Sequence, residues 1–96
     1  MENAKNLLLS FSEQIQKIII EFEYNEKNGA RLLSKLKETL AKKYDVEEEA
    51  AELFSACIYN VLATINSVPT QNIKSDQLTA ALGEARGEIE AIAELL

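Results

Sequence analysis

Several residue types that carry enzymatic or structural chemistry are rare or missing in this chain of 96 residues. It contains no histidine and no tryptophan, and it has one cysteine, one proline and three glycines. Without histidine, the chain lacks the commonest general base and the commonest transition-metal ligand. One cysteine cannot close an internal disulfide, which fits a reducing compartment. So few glycines and prolines favour long helices over frequent turns.

The balance of charge is acidic and excludes further classes of function. Sixteen acidic side chains outnumber ten basic ones, so the net charge is −6. An acidic field repels nucleic acid and anionic membranes. No apolar run is long enough to span a bilayer, and the opening "MENAKNLLLSF" does not match a signal peptide. We therefore expect a soluble cytoplasmic protein with no membrane insertion, no cofactor and no nucleic-acid partner.

Apolar residues recur at steps of three and four in four segments, the pattern of amphipathic helices. The segments are separated by "YNEKNG" at 24–29, "KYD" at 43–45 and "SVPTQNIKSD" at 67–76. We therefore predict one domain over residues 1–96, with the all-α fold of an antiparallel four-helix bundle. The predicted core stripes are Leu8, Phe11, Ile15, Ile18 and Phe22; Ala30, Leu33, Leu36 and Leu40; Ala50, Phe54, Cys57, Val61 and Ile65; and Leu78, Leu82, Ala85, Ile89, Ile92 and Leu96.

Polar residues at the breaks predict where the helices begin. Asn3 is expected to cap the first helix, and Asp45 to cap the third over residues 46–66, as part of a box-like D-x-x-E. Ser75 or Asp76 is expected to cap the fourth helix.

The fourth segment also carries a row of small residues beside its apolar stripe: Ala80, Gly83, Gly87 and Ala91. A glycine inside a helix costs about 1 kcal/mol relative to alanine. The row therefore predicts either close approach of another helix or a kink.

Three acidic residues at the start of the third segment, Glu48, Glu49 and Glu52, have the spacing EExxE. This resembles half of the magnesium site of all-α nucleoside triphosphate pyrophosphatases, whose second half is an ExxD that this chain lacks. At about 100° per residue, Glu48 and Glu52 lie opposite Cys57, which we place in the core. We therefore interpret the cluster as a solvated first turn and predict no metal site and no catalytic residues.

The stretches at residues 30–65 and 72–85 together resemble the pediocin-like (class IIa) bacteriocin immunity proteins. "ARLLSKLKETLAKKYDVEEEAAELFSACIYNVLATI" is similar to their second and third helices, a basic leucine-rich helix followed by a long apolar one. "NIKSDQLTAALGEA" is similar to the entry to their fourth helix, at Ile73, Ser75, Asp76, Gln77, Leu78 and Leu82. The resemblance implies a cytosolic four-helix bundle that is not an enzyme and protects the producer cell. The implied partner is the mannose phosphotransferase permease engaged by bacteriocin.

The leading hypothesis is therefore a helical bundle that acts by binding a protein. Two alternatives stay open: the magnesium-dependent pyrophosphatase, and a small helical adaptor or regulator subunit. The predicted partner-binding surface combines the outer face of the third helix with the long loop and the start of the fourth helix. Its residues are Glu52, Ser55, Tyr59, Asn66, Gln71, Asn72, Lys74 and Asp76.

Overall fold

The computed structural model describes residues 2–68 and 75–96, and these form four α-helices. The helices are α1 (Ala4–Tyr24), α2 (Glu26–Ala41), α3 (Glu48–Asn66) and α4 (Ser75–Leu95). The start of α1, the start of α3 and the end of α4 meet at one end of the bundle. The end of α1 and the start of α4 meet at the other. Sequential helices therefore run antiparallel, as predicted, and the fold is an all-α four-helix bundle.

The core is built from the stripes that the sequence predicts. All five predicted positions of α1 and all five of α3 are buried, and so are Leu33, Leu36 and Leu40 of α2. In α4 the first four predicted positions are buried, whereas Ile92 and Leu96 are only half-buried. Ala81 and Ala93 complete the buried face of α4. Small alanines on this face let α4 lie close against both α1 and α3.

The break between α1 and α2 is much shorter than predicted. Asn25 alone separates the two helices: its N–H donates to the Glu21 carbonyl at 2.8 Å, and its side chain accepts from the Asn28 N–H at 3.2 Å. One asparagine therefore satisfies the end of one helix and the start of the next. Asn28-Gly29 was expected to be a turn, but it lies inside α2.

The helix α2 begins at Glu26 and therefore includes Gly29, which is buried. Ala30, which we predicted to lie in the core, is exposed. The ring of Phe22 packs directly on Gly29: a Cβ added there would lie 2.7 Å from Phe22 Cγ. The glycine is needed here for close approach of two helices, and not for a turn.

The start of α3 also differs from the prediction. The helix begins at Glu48, so Asp45 is not its N-cap; instead the Asp45 carbonyl accepts from the Glu2 N–H at 2.7 Å. Glu47 occupies the cap position without a side-chain bond to its own helix. Its carboxylate accepts from the Ala4 N–H at 2.7 Å, at the start of α1, where Asn3 also caps as predicted. The segment between α2 and α3 is thereby tied to the first turn of α1.

Two further expectations for α4 are corrected. The helix begins at Ser75, so Ser75 and Asp76 are both helical residues and neither is the cap that precedes the helix. Gly83 and Gly87 are exposed, and nothing lies within 4 Å of a Cβ added at either. The helix continues unbroken past both glycines. No neighbour explains either glycine within the described part of the chain.

Candidate functional site

The four helices pack unevenly, and this leaves one side of the bundle open. α1 lies against α2 and α4 along its length, and α3 lies against α4, whereas α2 and α3 touch each other over a much smaller area. Between them is a groove of about 570 Å³, within the range of about 300–1,000 Å³ that is common for ligand sites. We call this the α2–α3 groove. It is lined by Leu40, Ala41, Lys42, Lys43, Tyr44, Phe54, Ser55, Ile58, Tyr59 and Leu62.

The floor of the groove is apolar and rigidly supported. Leu40 and Phe54 are buried in the core, and Ile58 and Leu62 are half-buried beside them. Tyr44 closes one end of the groove.

Tyr44 stands in edge-to-face contact with Phe11 at 5.7 Å and with Phe54 at 6.0 Å between ring centroids. Its hydroxyl donates to the Thr39 carbonyl at 2.8 Å. Burial, with a smaller contribution from the Glu2 charge, raises the Tyr44 pKa. Tyr44 thus covers an edge of the core, whereas Tyr24, at the end of α1, is 82% exposed.

The rim of the groove is polar and carries one sign of charge. Lys42 and Lys43 follow the last turn of α2, and Ser55 and Tyr59 project from α3. Tyr59 is 74% exposed, among the most exposed large side chains in the described residues. None of the residues lining the groove is acidic. Ammonium, hydroxyl and aromatic groups around an apolar floor are suited to binding an amphipathic segment.

The predicted partner-binding residues are only partly brought together. Ser55 and Tyr59 share the α2–α3 groove, whereas Glu52 and Asn66 are exposed elsewhere on α3. Asp76 lies at the end of the bundle where α1 meets α2, beside Asn25 and Glu26. Gln71, Asn72 and Lys74 lie outside the described residues.

The acidic EExxE cluster points away from the core, as predicted. Glu48, Glu49 and Glu52 are all exposed. Among residues 2–68 and 75–96, no three carboxylate or thiol side chains come together in a way that could hold a metal ion. The acidic residue with a structural role is the neighbouring Glu47, through its bond to Ala4.

Cys57 occupies the core position that the helical pattern predicts and is 2% exposed. Burial, together with the charge of Glu88 on α4, raises its pKa to about 11. Its thiol therefore stays protonated at neutral pH. A protonated, buried thiol is a poor nucleophile, so Cys57 acts in packing.

A polar cluster between α1 and α4 was not predicted. Buried Ser12 donates to Glu90 Oε1 at 3.2 Å, and Arg86 Nε lies 3.0 Å from the same oxygen. Arg86 also donates to Gln16 Oε1 at 2.6 Å and to Ser12 Oγ at 3.4 Å. The spacing of Arg86 and Glu90 was the available signal, because residues four apart on a helix can pair. Their partners on α1 are 70 or more residues away, which the sequence pattern does not encode.

Comparison with known proteins identifies no relative: no family model, curated protein or solved structure matches this chain. No helix in the described part of the chain combines the length and the apolar character needed to cross a membrane.

Proposed function

We propose that this protein acts by binding another protein at the α2–α3 groove, without catalysing a reaction, and that its concrete role is bacteriocin immunity in the cytoplasm of a producer cell. The observation that carries the binding role is the groove itself. A partner seated in the groove would cover the half-buried Ile58 and Leu62, and each 100 Å² of apolar surface removed from water is worth about 2.5 kcal/mol.

The exposed tyrosine beside the groove supports the same interpretation. Tyr59 presents a large amphipathic ring to solvent at the rim, and tyrosine is among the residue types enriched where binding energy concentrates. It lies within the stretch whose pattern resembles the third helix of pediocin-like immunity proteins. That resemblance supports the immunity role and the bacteriocin-engaged mannose phosphotransferase permease as partner.

A protection assay tests the proposal. The gene is expressed in a strain sensitive to class IIa bacteriocins, and the minimal inhibitory concentration is measured across a panel of these peptides. We expect at least one member to require about tenfold more peptide, as one decade of protection. Unchanged sensitivity to every member of the panel would rule out the immunity role.

Two tyrosines provide a matched pair of variants for the same assay. Tyr59→Ala removes the ring at the rim of the groove, and Tyr24→Ala removes an equally exposed ring at the far end of α1. Both changes leave the core untouched. We expect Tyr59→Ala to lose most of the protection and Tyr24→Ala to retain it. The opposite result would place the working surface at the turn between α1 and α2.

A further inference from the structure

Basic charge in this protein is concentrated in α2 and the two residues that follow it, which include the basic residues of the α2–α3 groove. Residues 26–43 carry six basic and two acidic side chains, a net charge of +4, so the rest of the chain carries −10 and the total is −6. The two charged residues that line the groove, Lys42 and Lys43, belong to this segment. The groove is therefore a locally cationic site on an anionic protein, and its field favours a ligand that the rest of the surface repels.

The apolar lining indicates the shape of the ligand. Leu40 and Phe54 are recessed, and the half-buried side chains of Ile58 and Leu62 lie beside them between two helices. A flat bilayer surface does not reach side chains at the bottom of a groove. A helix reaches them with the residues of one stripe, as in helix-in-groove recognition.

Charge also argues against a second copy of this chain seated symmetrically in the groove. A two-fold dimer places the same patch on both subunits. Groove against groove would place four lysines and no acidic lining residue around one apolar contact. Such an arrangement is destabilised by repulsion, which favours a different chain as the occupant.

We infer that the α2–α3 groove receives an amphipathic helix of a partner protein, whose apolar stripe covers Ile58 and Leu62 and whose flanking carboxylates pair with Lys42 and Lys43. This inference rests on the proposed function and adds the chemistry of the partner. The lysines supply selection and orientation, because exposed ion pairs contribute little affinity of their own.

The probe is a pair of hydrocarbon-stapled helical peptides that share one leucine stripe. One peptide carries glutamates on both sides of the stripe, and the other carries lysines at the same positions. Each is titrated into the full ¹⁵N-labelled chain. We expect the acidic peptide to shift the amide resonances of Lys42, Lys43 and Tyr59, and its affinity to fall as salt is raised. Net charge alone predicts the reverse, since a protein at −6 attracts the basic peptide.

Charge variants on α2 separate the groove from the helix as a whole. Lys42→Glu with Lys43→Glu reverses the rim, and Lys27→Glu with Lys35→Glu makes the same change in net charge at exposed positions outside the groove lining. We expect at least tenfold weaker binding of the acidic peptide for the first pair and less than threefold for the second. The neutral pair Lys42→Gln with Lys43→Gln should fall between them, and circular dichroism verifies that each variant is folded.

Several results would overturn the inference. It fails if the acidic peptide produces no shifts at the groove at millimolar concentration, or if both charge-reversed pairs weaken binding equally. It also fails if the protein instead sediments with phosphatidylserine vesicles through Lys42 and Lys43, or if it forms a dimer that Ile58→Glu dissolves.

The protection assay separates this inference from the proposed function. If the double variant Lys42→Glu with Lys43→Glu protects cells as well as the wild type does, the immunity role is supported. The inferred binding of an acidic helix in the groove is then rejected. Peptide binding at the groove without protection by any bacteriocin rejects immunity and leaves the groove chemistry standing.

Discussion

The contact between α1 and α4 and the contact between α2 and α3 differ in almost every physical respect. Along the first, Leu82, Ala85 and Ile89 are fully buried, and the Ser12–Arg86–Glu90 cluster closes the outer edge. Along the second, Ile58 and Leu62 are half-buried, and two lysines stand at the rim. One bundle thus contains one closely packed contact and one that leaves apolar side chains half-exposed. Substitutions at the two contacts should therefore lower the free energy of unfolding by very different amounts.

The largest difference is expected for truncation of aliphatic side chains. Ile89→Ala leaves a cavity at a fully buried position and should lower the free energy of unfolding by about 2–5 kcal/mol. Leu62→Ala, on the half-buried floor of the groove, should cost about 1 kcal/mol, because water can reach the space that is left. Urea denaturation measures both losses of unfolding free energy, with one value for its dependence on urea concentration used for both variants.

A small domain with total stability near 5 kcal/mol could be unfolded by Ile89→Ala. Ile89→Val, expected to cost about 0.5–1.5 kcal/mol, keeps the comparison measurable. Equal costs of the same truncation, Ile89→Val in the core and Ile58→Val at the half-buried groove floor, would show that the groove is as tightly packed as the α1–α4 contact.

The reactivity of the Cys57 thiol tests how well the core excludes solvent. Its pKa near 11, against an ordinary 9.0, leaves roughly a hundredfold less thiolate at pH 8 in the folded protein than in the unfolded chain. Reaction with a thiol reagent should therefore be at least a hundredfold slower before urea is added than after. Rapid reaction of the folded protein would show that this part of the core opens readily.

The same shift implies a pH dependence of stability with a defined sign. Below pH 9 the thiol is protonated in both states and contributes nothing. Between about pH 9 and 11 only the unfolded chain releases the proton, so the free energy of unfolding declines. Cys57→Ala should lack this component of the decline, which isolates it from the tyrosines and lysines that titrate nearby.

The glycine at the contact between α1 and α2 should resist substitution. Gly29→Ala gains helix propensity of about 1 kcal/mol but places a Cβ 2.7 Å from Phe22 Cγ. Since overpacking costs about 1–3 kcal/mol, we expect a net loss of about 1 kcal/mol. In the double variant with Phe22→Leu the ring is absent, so the alanine should no longer be costly. A stabilised Gly29→Ala single variant would mean that Phe22 moves aside freely.

Much of this architecture is predictable from the sequence because helical periodicity reports which face is buried. The stripes of α1 and α3 are correct at every position, and the outward direction of Glu48 and Glu52 follows from the same geometry. The pattern fails where contact with a neighbouring helix decides what a residue does. Asn28-Gly29 has the composition of a turn, yet Phe22 makes Gly29 a packing position.

The candidate site was predicted less well than the fold, for a related reason. Ser55 and Tyr59 were selected as exposed residues of α3, but a groove exists only because α2 stands away from α3. Distances between helices depend on the whole set of packed side chains. Lys42 and Lys43 follow the last turn of α2, and their position at the rim of the groove becomes visible only when both helices are in place.

The smallest effect is expected on the outer surface of α4. Alanine at either of the two remaining glycines should stabilise the protein, whereas Gly29→Ala should destabilise it. Nothing lies within 4 Å of a Cβ added at Gly83 or Gly87, so alanine meets no steric cost at either position. Alanine also restricts the unfolded chain and favours the helix, which should raise the free energy of unfolding by about 0.5–1 kcal/mol at each site. The two sites are four residues apart and share no buried neighbour, so the gains should nearly add in the double variant. Thermal and urea denaturation of the single and double variants measure this. A loss of stability at either position would show that a neighbour covers this face of α4. It would support the close approach of another helix that the small-residue row predicts.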